Sequence, residues 1–468
     1  MGTSYIGVYG MGVMGQSIAL NIANHGYKTV VYNRSEAKTK SFLESIDNKN
    51  ISGAYSLEEF LNSLESPRRI LLMLTAGPVV DKAIDEIIPY LDKDDIIIDG
   101  GNTYFKDTIR REACLKEKGI GFIGAGVSGG EKGALEGPSI MPSGERKTYE
   151  AVEKLLMDIS AKTPDGFPCC TYIGPDGSGH FVKTVHNGIE YADIQIICDI
   201  YQLMRDVGGM NAEEMQQVFE KWNEGRLNSY LIDITSKILK RKDEETGKPI
   251  LDIVLDTAGQ KGTGKWTSME ALDLGIPVPS IVESVFARYL SAMKEDRVKA
   301  SKVFQQAKRK PVLDKARFIE DLENALYAAK ICVYAQGYQL LQEASNHYHW
   351  DLDLGEISLI WREGCIIRAA FLNDIKKIYS QEKNISNLML SELFSKALKE
   401  SYEGFRKTCI MAIENGIPVP GLMSTLSYFD AYRTENSSAN LLQAQRDFFG
   451  AHTYERVDKE GFFHTVWE

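Results

Sequence analysis

A doubly wound α/β domain, followed by a large all-helical domain and a short C-terminal tail, is the architecture that this sequence predicts. Three observations predict it. Short apolar runs alternate with amphipathic helical segments through about the first 175 residues. After the glycine-rich stretch Gly174-Pro175-Asp176-Gly177-Ser178-Gly179 the pattern changes to long helices with almost no β-branched runs. The helical part then echoes itself. The boundaries implied are 1–178 for the α/β domain, 179–434 for the helical domain and 435–468 for the tail. A chain of 468 residues is also too long for one ordinary core.

Six runs read as buried strands: Ser4 to Tyr9, Lys28 to Tyr32, Arg69 to Leu74, Asp95 to Asp99, Gly121 to Ala125 and Cys170 to Ile173. Between them Ser17 to Asn24, Val79 to Leu91 and Thr148 to Ser160 carry helical periodicity. Strand, helix, strand in repetition requires right-handed crossovers and hence a parallel sheet. In the helical part, Gly275-Ile276-Pro277-Val278-Pro279 recurs as Gly416-Ile417-Pro418-Val419-Pro420. Trp222-Asn223-Glu224-Gly225 is echoed by Trp361-Arg362-Glu363-Gly364, and Tyr201-Gln202-Leu203-Met204 by Tyr338-Gln339-Leu340-Leu341. The offsets of 141, 139 and 137 keep order and spacing, which predicts an internal duplication. The tail carries one short helix around Leu441 to Phe449. Its Phe448, Phe449, Phe462, Phe463 and Trp467 are too apolar for a solvated tail and predict packing on a partner subunit.

Composition excludes several classes. With 54 basic against 65 acidic residues and a net charge of -11, a general nucleic-acid binder is disfavoured, while a local basic pocket for a phosphorylated ligand stays open. Seven cysteines without a C-x-x-C argue against a disulfide framework or zinc knuckle and predict buried reduced thiols. Neither a secretory leader nor a spanning run of about 18 apolar residues is present, so a soluble cytoplasmic protein with no membrane partner is expected.

Gly10-Met11-Gly12-Val13-Met14-Gly15 follows the first strand and opens a helix, the setting in which this spacing binds a dinucleotide. The first glycine permits the tight turn, the second lets backbone approach a pyrophosphate, and the third lets helix pack on strand. The helix N-terminus then faces the anion, and the domain is Rossmann-type. The end of the second strand selects the dinucleotide. Where an NAD enzyme usually places Asp or Glu, this chain has Asn33-Arg34-Ser35. Arg34 can pair with a 2′-phosphate or stack on adenine, and Asn33 and Ser35 can donate hydrogen bonds, so NADP is the expected cofactor. An ordinary exposed loop arginine is the plainer alternative. Thr75-Ala76-Gly77, Gly100-Gly101-Asn102 and Val127-Ser128-Gly129-Gly130 end later strands, where open parallel sheets carry their ligand-contacting loops.

The segment Lys183-Thr184-Val185-His186-Asn187-Gly188-Ile189-Glu190-Tyr191 is the richest in chemistry. On a helix Lys183, His186, Asn187 and Glu190 fall at i, i+3, i+4 and i+7 and share one face. Such a face is either an exposed ion-paired stripe or an active site, and the flanking Phe181, Val185, Ile189 and Ile194 favour the site. The offset of 137 aligns Lys183 with Glu320, His186 with Glu323 and Glu190 with Tyr327, so the constellation exists in one copy only. Gly259 to Trp266, with Lys261 among its glycines, likewise has no echo; it lacks P-loop spacing, so ATP is not implied. Arg288 is matched by Phe429 in the second copy. These two cations, unique to the first copy, suggest a phosphate or carboxylate pocket. No ligand cluster suggests a metal.

With these segments in view, the sequence resembles the 6-phosphogluconate dehydrogenase family, NADP-dependent oxidative decarboxylases of the pentose phosphate pathway. The resemblance covers essentially the whole chain and is most specific in Asp99 to Asn102, Val127 to Glu131, Lys183 to Tyr191, Gly259 to Trp266 and Leu441 to Asp447. It implies that Lys183 is the general base and Glu190 the general acid. It implies substrate contacts at Asn102, Ser128, Gly129, Gly130, His186, Asn187, Tyr191, Lys261 and Arg288. By the same resemblance Arg446 and His452 reach the active site of the other subunit, which implies a homodimer with exchanged tails. One departure is Gly12, where the family often has alanine. Two other readings stand beside this one. A 3-hydroxyisobutyrate-type dehydrogenase would lack the duplicated helical domain and the Lys261, Arg288, Arg446 set; a catalytically idle NADPH-binding scaffold would have no use for Lys183 and Glu190.

Overall fold

The computed structural model describes residues 2–260, 262–304, 307 and 309–467. The N-terminal part runs β1 (Ile6–Tyr9), α1 (Val13–Asn24), β2 (Thr29–Tyr32), α2 (Glu36–Glu44), β3 (Ile51–Gly53), α3 (Leu57–Asn62), β4 (Arg69–Leu72) and α4 (Pro78–Ile87). It continues through β5 (Ile96–Asp99), α5 (Phe105–Lys116), β6 (Gly121–Val127), α6 (Gly130–Glu136), β7 (Ile140–Gly144), α7 (Arg146–Glu150) and α8 (Glu153–Ile159). Strands pair in the order β3-β2-β1-β4-β5-β6-β7. All pairs are parallel except the last, where β7 runs antiparallel to β6. The strand order reverses between β1 and β4, which opens a crevice at their carboxyl ends. Apolar cores line both faces of the sheet, as strands fed by crossover helices require.

Four local features depart from the sequence expectation. The edge strand β3 was not anticipated, because three residues with only partly covered side chains carry no periodicity. Strand β7 was not anticipated either, since Pro142 and Gly144 give it the look of a loop. Cys170 to Ile173 is no ladder strand; it touches β7 through isolated bridges at Ile140 with Cys170 and Ser143 with Gly174. The hydrogen bonds on this side fall on alternate residues of β7: Ile140 and Gly144 donate, while Pro142 can only accept, so the ladder is interrupted. The predicted helix Thr148 to Ser160 also breaks in two at Ala151 and Val152.

The helical part comprises α9 (Ser178–Asp206), α10 (Ala212–Trp222), α11 (Tyr230–Lys240), α12 (Thr263–Asp273), α13 (Pro279–Ala292) and α14 (Lys294–Val303). It goes on to α15 (Lys315–Tyr348), α16 (Leu354–Ile360), α17 (Leu372–Gln381), α18 (Glu392–Glu414) and α19 (Pro420–Tyr432). Helices α9 and α15 are buried along most of their circumference, so they form the centre of the helical core. The duplicated sequence is a duplicated fold. Gly275 and Gly416 both take positive φ, +70° and +62°, and Pro279 and Pro420 each open a helix.

The two copies lock across their shared centre. Lys330 on α15 donates to both carboxylate oxygens of Asp193 on α9 at 2.6 Å, with the two side chains 0% and 1% exposed. These residues stand 137 apart, so equivalent positions of the two copies face each other. At the same offset, Asp199 on α9 accepts from Leu422 N at the start of α19 (2.9 Å), and Gln336 on α15 accepts from Ser280 N at the start of α13 (3.1 Å). Each copy's long helix thus caps the other copy's proline-led helix.

Helix α9 also lies against the sheet. A β-carbon on Gly126 of β6 would fall 2.4 Å from Lys183 Cβ, and one on Gly179 would fall 2.2 Å from Met141 O of β7. Helix α9 therefore rests directly on strand backbone. The tail forms α20 (Ala439–Gly450) and a small hairpin of β8 (Tyr454–Glu455) and β9 (Phe462–Phe463). Buried Asp447 ties it together, accepting from Thr453 N, His464 Nδ1, Thr465 N and Trp467 Nε1. Burial would push this carboxyl up, but the hydrogen bonds from His464, Thr465 and Trp467 outweigh it and hold its pKa at about 2. Phe448, Phe449, Phe462 and Trp467 remain exposed. Of the cysteines, Cys114 and Cys198 lie on outward faces of α5 and α9 rather than in the core, and none is paired.

Candidate active site

The glycine fingerprint divides by geometry. Gly10 has φ +113° and no room for a side chain, with Met73 O 2.4 Å from its would-be β-carbon; a β-carbon on Gly15 would collide with Gly10 O. Gly12 meets nothing within 4 Å, so alanine would fit there and the space above it is open. Helix α1 starts at Val13 with no side-chain cap, which leaves first-turn N–H groups for an anion. Asn33 braces this loop: its Oδ1 accepts from Met11 N at 3.0 Å, while its Nδ2 reaches Ser35 O at 3.3 Å. Arg34 is exposed and forked onto Glu86, at 2.7 and 2.8 Å. Ser35 precedes α2 without capping it, so its hydroxyl is free of that task. Room over Gly12, an uncapped helix, and a cation beside a second helix start fit a dinucleotide with a 2′-phosphate. Met14 follows on α1, half-buried, and Thr75, Ala76 and Gly77 form the loop after β4.

A buried network that the sequence reading did not foresee supports the next loops. Asp99 Oδ1 accepts from Gly101 N (3.1 Å), and its Oδ2 accepts from Thr103 Oγ1 (2.8 Å) and Arg111 Nη1 (3.3 Å). Arg111 also donates to Asp81 and to Gly77 O. One arginine thereby joins the loops after β4 and β5 and leaves Asn102 exposed at the rim. The Arg111 and Arg110 side chains hold Asp81 well into its ionised form, with a pKa of about 2, against the opposing effect of burial.

The face predicted on Lys183 to Tyr191 exists on α9, and it is internally bonded. Lys183 Nζ donates to Asn187 Oδ1 at 2.7 Å, and His186 Nδ1 lies 3.0 Å from the same oxygen. Asn187 Nδ2 donates to Thr263 Oγ1 at 3.1 Å, which fixes the amide's orientation. His186 must then carry its proton on Nδ1, so Nε2 is the acceptor toward Ser128 Oγ at 3.4 Å. His186 Nδ1 also stands 4.0 Å from Glu190 Oε2, and Trp361 packs edge-on against the imidazole. Burial lowers the Lys183 pKa, although Glu190 opposes this. His186 is pushed well below its usual value by burial and then by Lys183, so it is neutral. Glu190 is raised by burial, with Lys183 and Arg288 opposing and Asp193 assisting. Lysine and glutamate on one face are both drawn toward their uncharged forms.

The opposite wall comes from α12 and α13. Gly262 has φ +101° and precedes Thr263, the partner of Asn187. Thr267 Oγ1 donates to Thr184 O at 2.7 Å and seats α12 on α9. The Arg288 guanidinium stacks 3.5 Å from the centre of the Tyr191 ring and donates to Gly259 O at 3.2 Å. Gly264 lies so close to Tyr191 that a β-carbon would fall 2.5 Å from the ring. Between the walls opens a cleft of about 550 Å³ lined by Asn102, Asn187, Glu190, Tyr191, Gly259, Gln260, Thr263 and Arg288. Lys261 lies outside the described residues. Fully buried Glu270 spans the two domains, accepting from Tyr104 OH and from Lys106 Nζ (2.9 Å), with Tyr348 OH at 3.4 Å.

Gly129 (φ +111°) and Gly130 (φ +63°) turn the chain after Ser128 into α6, and Gly129 abuts Gly364 O so closely that only glycine fits. Arg446 and His452 are not brought to this cleft within the chain. Both are exposed; Arg446 donates to Gln443, and His452 packs against Phe449. Asp99, Arg111 and Glu270 are supporting residues whose roles no local pattern announces, whereas Thr263 lies in the glycine-rich segment Gly259 to Trp266 already singled out. A lone threonine behind glycines was the only local signal. Among the described residues no group of His, Cys, Asp and Glu could hold a metal ion, and no helix is long and apolar enough to cross a membrane.

Two family descriptions match the chain: "NAD binding domain of 6-phosphogluconate dehydrogenase" over residues 5–174 and "6-phosphogluconate dehydrogenase, C-terminal domain" over residues 179–467. The NADP(+)-dependent, decarboxylating 6-phosphogluconate dehydrogenase of Bacillus subtilis is 56% identical, with 100% of both chains covered. The decarboxylating enzyme of Escherichia coli K12 is 53% identical over the same coverage. A solved structure of Plasmodium falciparum 6-phosphogluconate dehydrogenase superposes with a TM-score of 0.95 at 44% identity, covering 99% of this chain and 100% of that one. That protein is described in its apo form, with its cofactor NADP+, and with its substrate 6-phosphogluconate.

Proposed function

This chain belongs to the 6-phosphogluconate dehydrogenase family, and from that membership we propose how its own residues carry out the reaction. It is an NADP-dependent oxidoreductase that converts 6-phospho-D-gluconate to D-ribulose 5-phosphate and carbon dioxide, reducing NADP to NADPH. NADP, when bound, supplies the hydride acceptor. Gly10 to Gly15, with Met11, Val13 and Met14 shaping the turn, and the loop Thr75 to Gly77 receive it. Arg34 and Ser35 hold the 2′-phosphate, while Asn33 orders the fingerprint loop from below.

Lys183 in its neutral form takes the proton of the substrate 3-hydroxyl as hydride leaves carbon 3. The carbonyl so formed accepts the electron pair of the breaking carbon–carbon bond as carbon dioxide departs. Lys183, again protonated, stabilises the enolate oxygen. Glu190 then protonates the carbon that lost the carboxylate, which is carbon 1 of the product. Asn187 holds the Lys183 ammonium, and neutral His186 acts as a directional hydrogen-bond group with Ser128. Asn102, Gly129, Gly130, Tyr191, Lys261 and Arg288 complete the substrate contacts, the two cations matching its anionic groups in charge.

We further propose a homodimer in which Arg446 and His452 enter the partner's cleft, working in the cytoplasm in the pentose phosphate pathway and gluconate use. The exposed aromatics of a self-tied tail support the exchange. The division of labour is between residues 1–178 for the cofactor, 179–434 for substrate and dimerisation, and 435–468 for the partner's site. The observation that carries the mechanism is a buried lysine and a glutamate on one helix face, both biased toward neutrality, with Glu190 and the Lys183 partner Asn187 lining the cleft. The test follows nicotinamide reduction by ultraviolet absorbance with NADP and 6-phosphogluconate, beside gluconate and 3-hydroxyisobutyrate, with carbon dioxide trapped. Reduction and stoichiometric carbon dioxide with the phosphorylated sugar acid alone are expected. Turnover of 3-hydroxyisobutyrate instead would overturn the substrate assignment.

A further inference from the structure

Arg34, the cation assigned above to the 2′-phosphate, is already engaged. Its Nη2 donates to both oxygens of Glu86 at 2.7 and 2.8 Å. The partners are 52 residues apart, one in the loop after β2 and one on the last turn of α4, so helical spacing does not impose the pair. Their side chains are 44% and 38% exposed, which leaves the guanidinium within reach of a ligand while the carboxylate holds it. The helix that carries Glu86 begins at Pro78, directly after Gly77 in the loop that frames the cofactor crevice. Glu86 plays no part in the chemistry proposed above, and nothing in the fingerprint predicts an acid at this place.

We propose that Glu86 sets cofactor specificity by competing with the 2′-phosphate of NADP for Arg34. A phosphate dianion reaching Arg34 meets one of two costs. It displaces the carboxylate and breaks the existing pair, or it shares the guanidinium with a second anion and suffers their repulsion. NAD presents a neutral 2′-hydroxyl and incurs neither. Glu86 therefore holds the NADP-to-NAD affinity ratio below the value that Arg34 alone would give. The inference rests on the assignment of Arg34 to the 2′-phosphate.

Calorimetric titration of the full-length wild type, Glu86→Gln, Arg34→Ala and the double variant with NADP and with NAD tests it. Glutamine keeps the size of the side chain on an exposed helix turn, so folding is not at stake. Glu86→Gln is expected to bind NADP about three- to tenfold tighter, with NAD changed by less than about twofold. The gain shrinks as salt is raised and vanishes in the Arg34→Ala background. Unchanged or weaker NADP binding in Glu86→Gln, with Arg34→Ala still losing NADP selectively, overturns the role of Glu86 and leaves the 2′-phosphate assignment standing. Equal weakening of both cofactors in Arg34→Ala overturns the assignment itself, and the competition with it.

Discussion

At the scale of single residues, the proposed mechanism depends on keeping two groups off their usual charge. As the proposed base, Lys183 acts only when neutral, and burial lowers its pKa, so kcat/KM should fall on the acid side as the ammonium forms. As the proposed acid, Glu190 acts only when protonated, and burial raises its pKa, so the rate should fall on the alkaline side as the carboxylate forms. A bell-shaped profile is expected, whose limbs belong to the coupled pair. Lys183→Met should cost about 10² to 10⁴ in kcat, while calorimetric NADP binding is retained. Loss of NADP binding would instead make Lys183 a structural residue. The face that carries this chemistry was legible because i, i+3, i+4 and i+7 positions meet on any helix. Its supports were not. Asp99, Asp81 and Arg111 come from three separate segments, and no local period announces that they converge.

At the scale of elements, the long helices α9 and α15 join two copies of one design, and the join is where the copies differ. Aspartate in one and lysine in the other turn a self-facing position into a buried ion pair. Removing one partner strands a charge, so Asp193→Asn should destabilise the protein by about 3 to 5 kcal/mol in chemical denaturation. Asp193→Leu combined with Lys330→Met should restore most of that loss; failure to do so would mean that the pair contributes more than mutual neutralisation. The repeat itself could be read from glycine, proline and tryptophan echoes. That equivalent residues face each other could not, because register between copies is a property of packing rather than of either copy. Strands β3 and β7 escaped for the opposite reason, since three residues in one and a central proline in the other supply too little pattern.

At the scale of the whole molecule, one chain carries every proposed catalytic group but leaves its tail turned outward. The proposed exchange gives a sharp expectation. Arg446→Ala and Lys183→Met homodimers should each be nearly inactive. After mixing and subunit exchange, each heterodimer has one site with both residues intact, and activity should return to about a quarter of wild type. No recovery, with heterodimers present by native mass spectrometry, would place Arg446 outside the partner's site. The seam between cofactor and substrate halves has its own consequence. Because Gly126 and Gly179 let α9 lie on bare strand backbone, the two halves are not interchangeable parts. A chimera that swaps the cofactor domain with that of a distant dehydrogenase at residues 174–177 would inherit a β6 that need not be glycine beneath Lys183. The unit that evolution or an engineer can move intact is therefore the sheet together with the helix that rests on it, and recombination has to cut beyond α9.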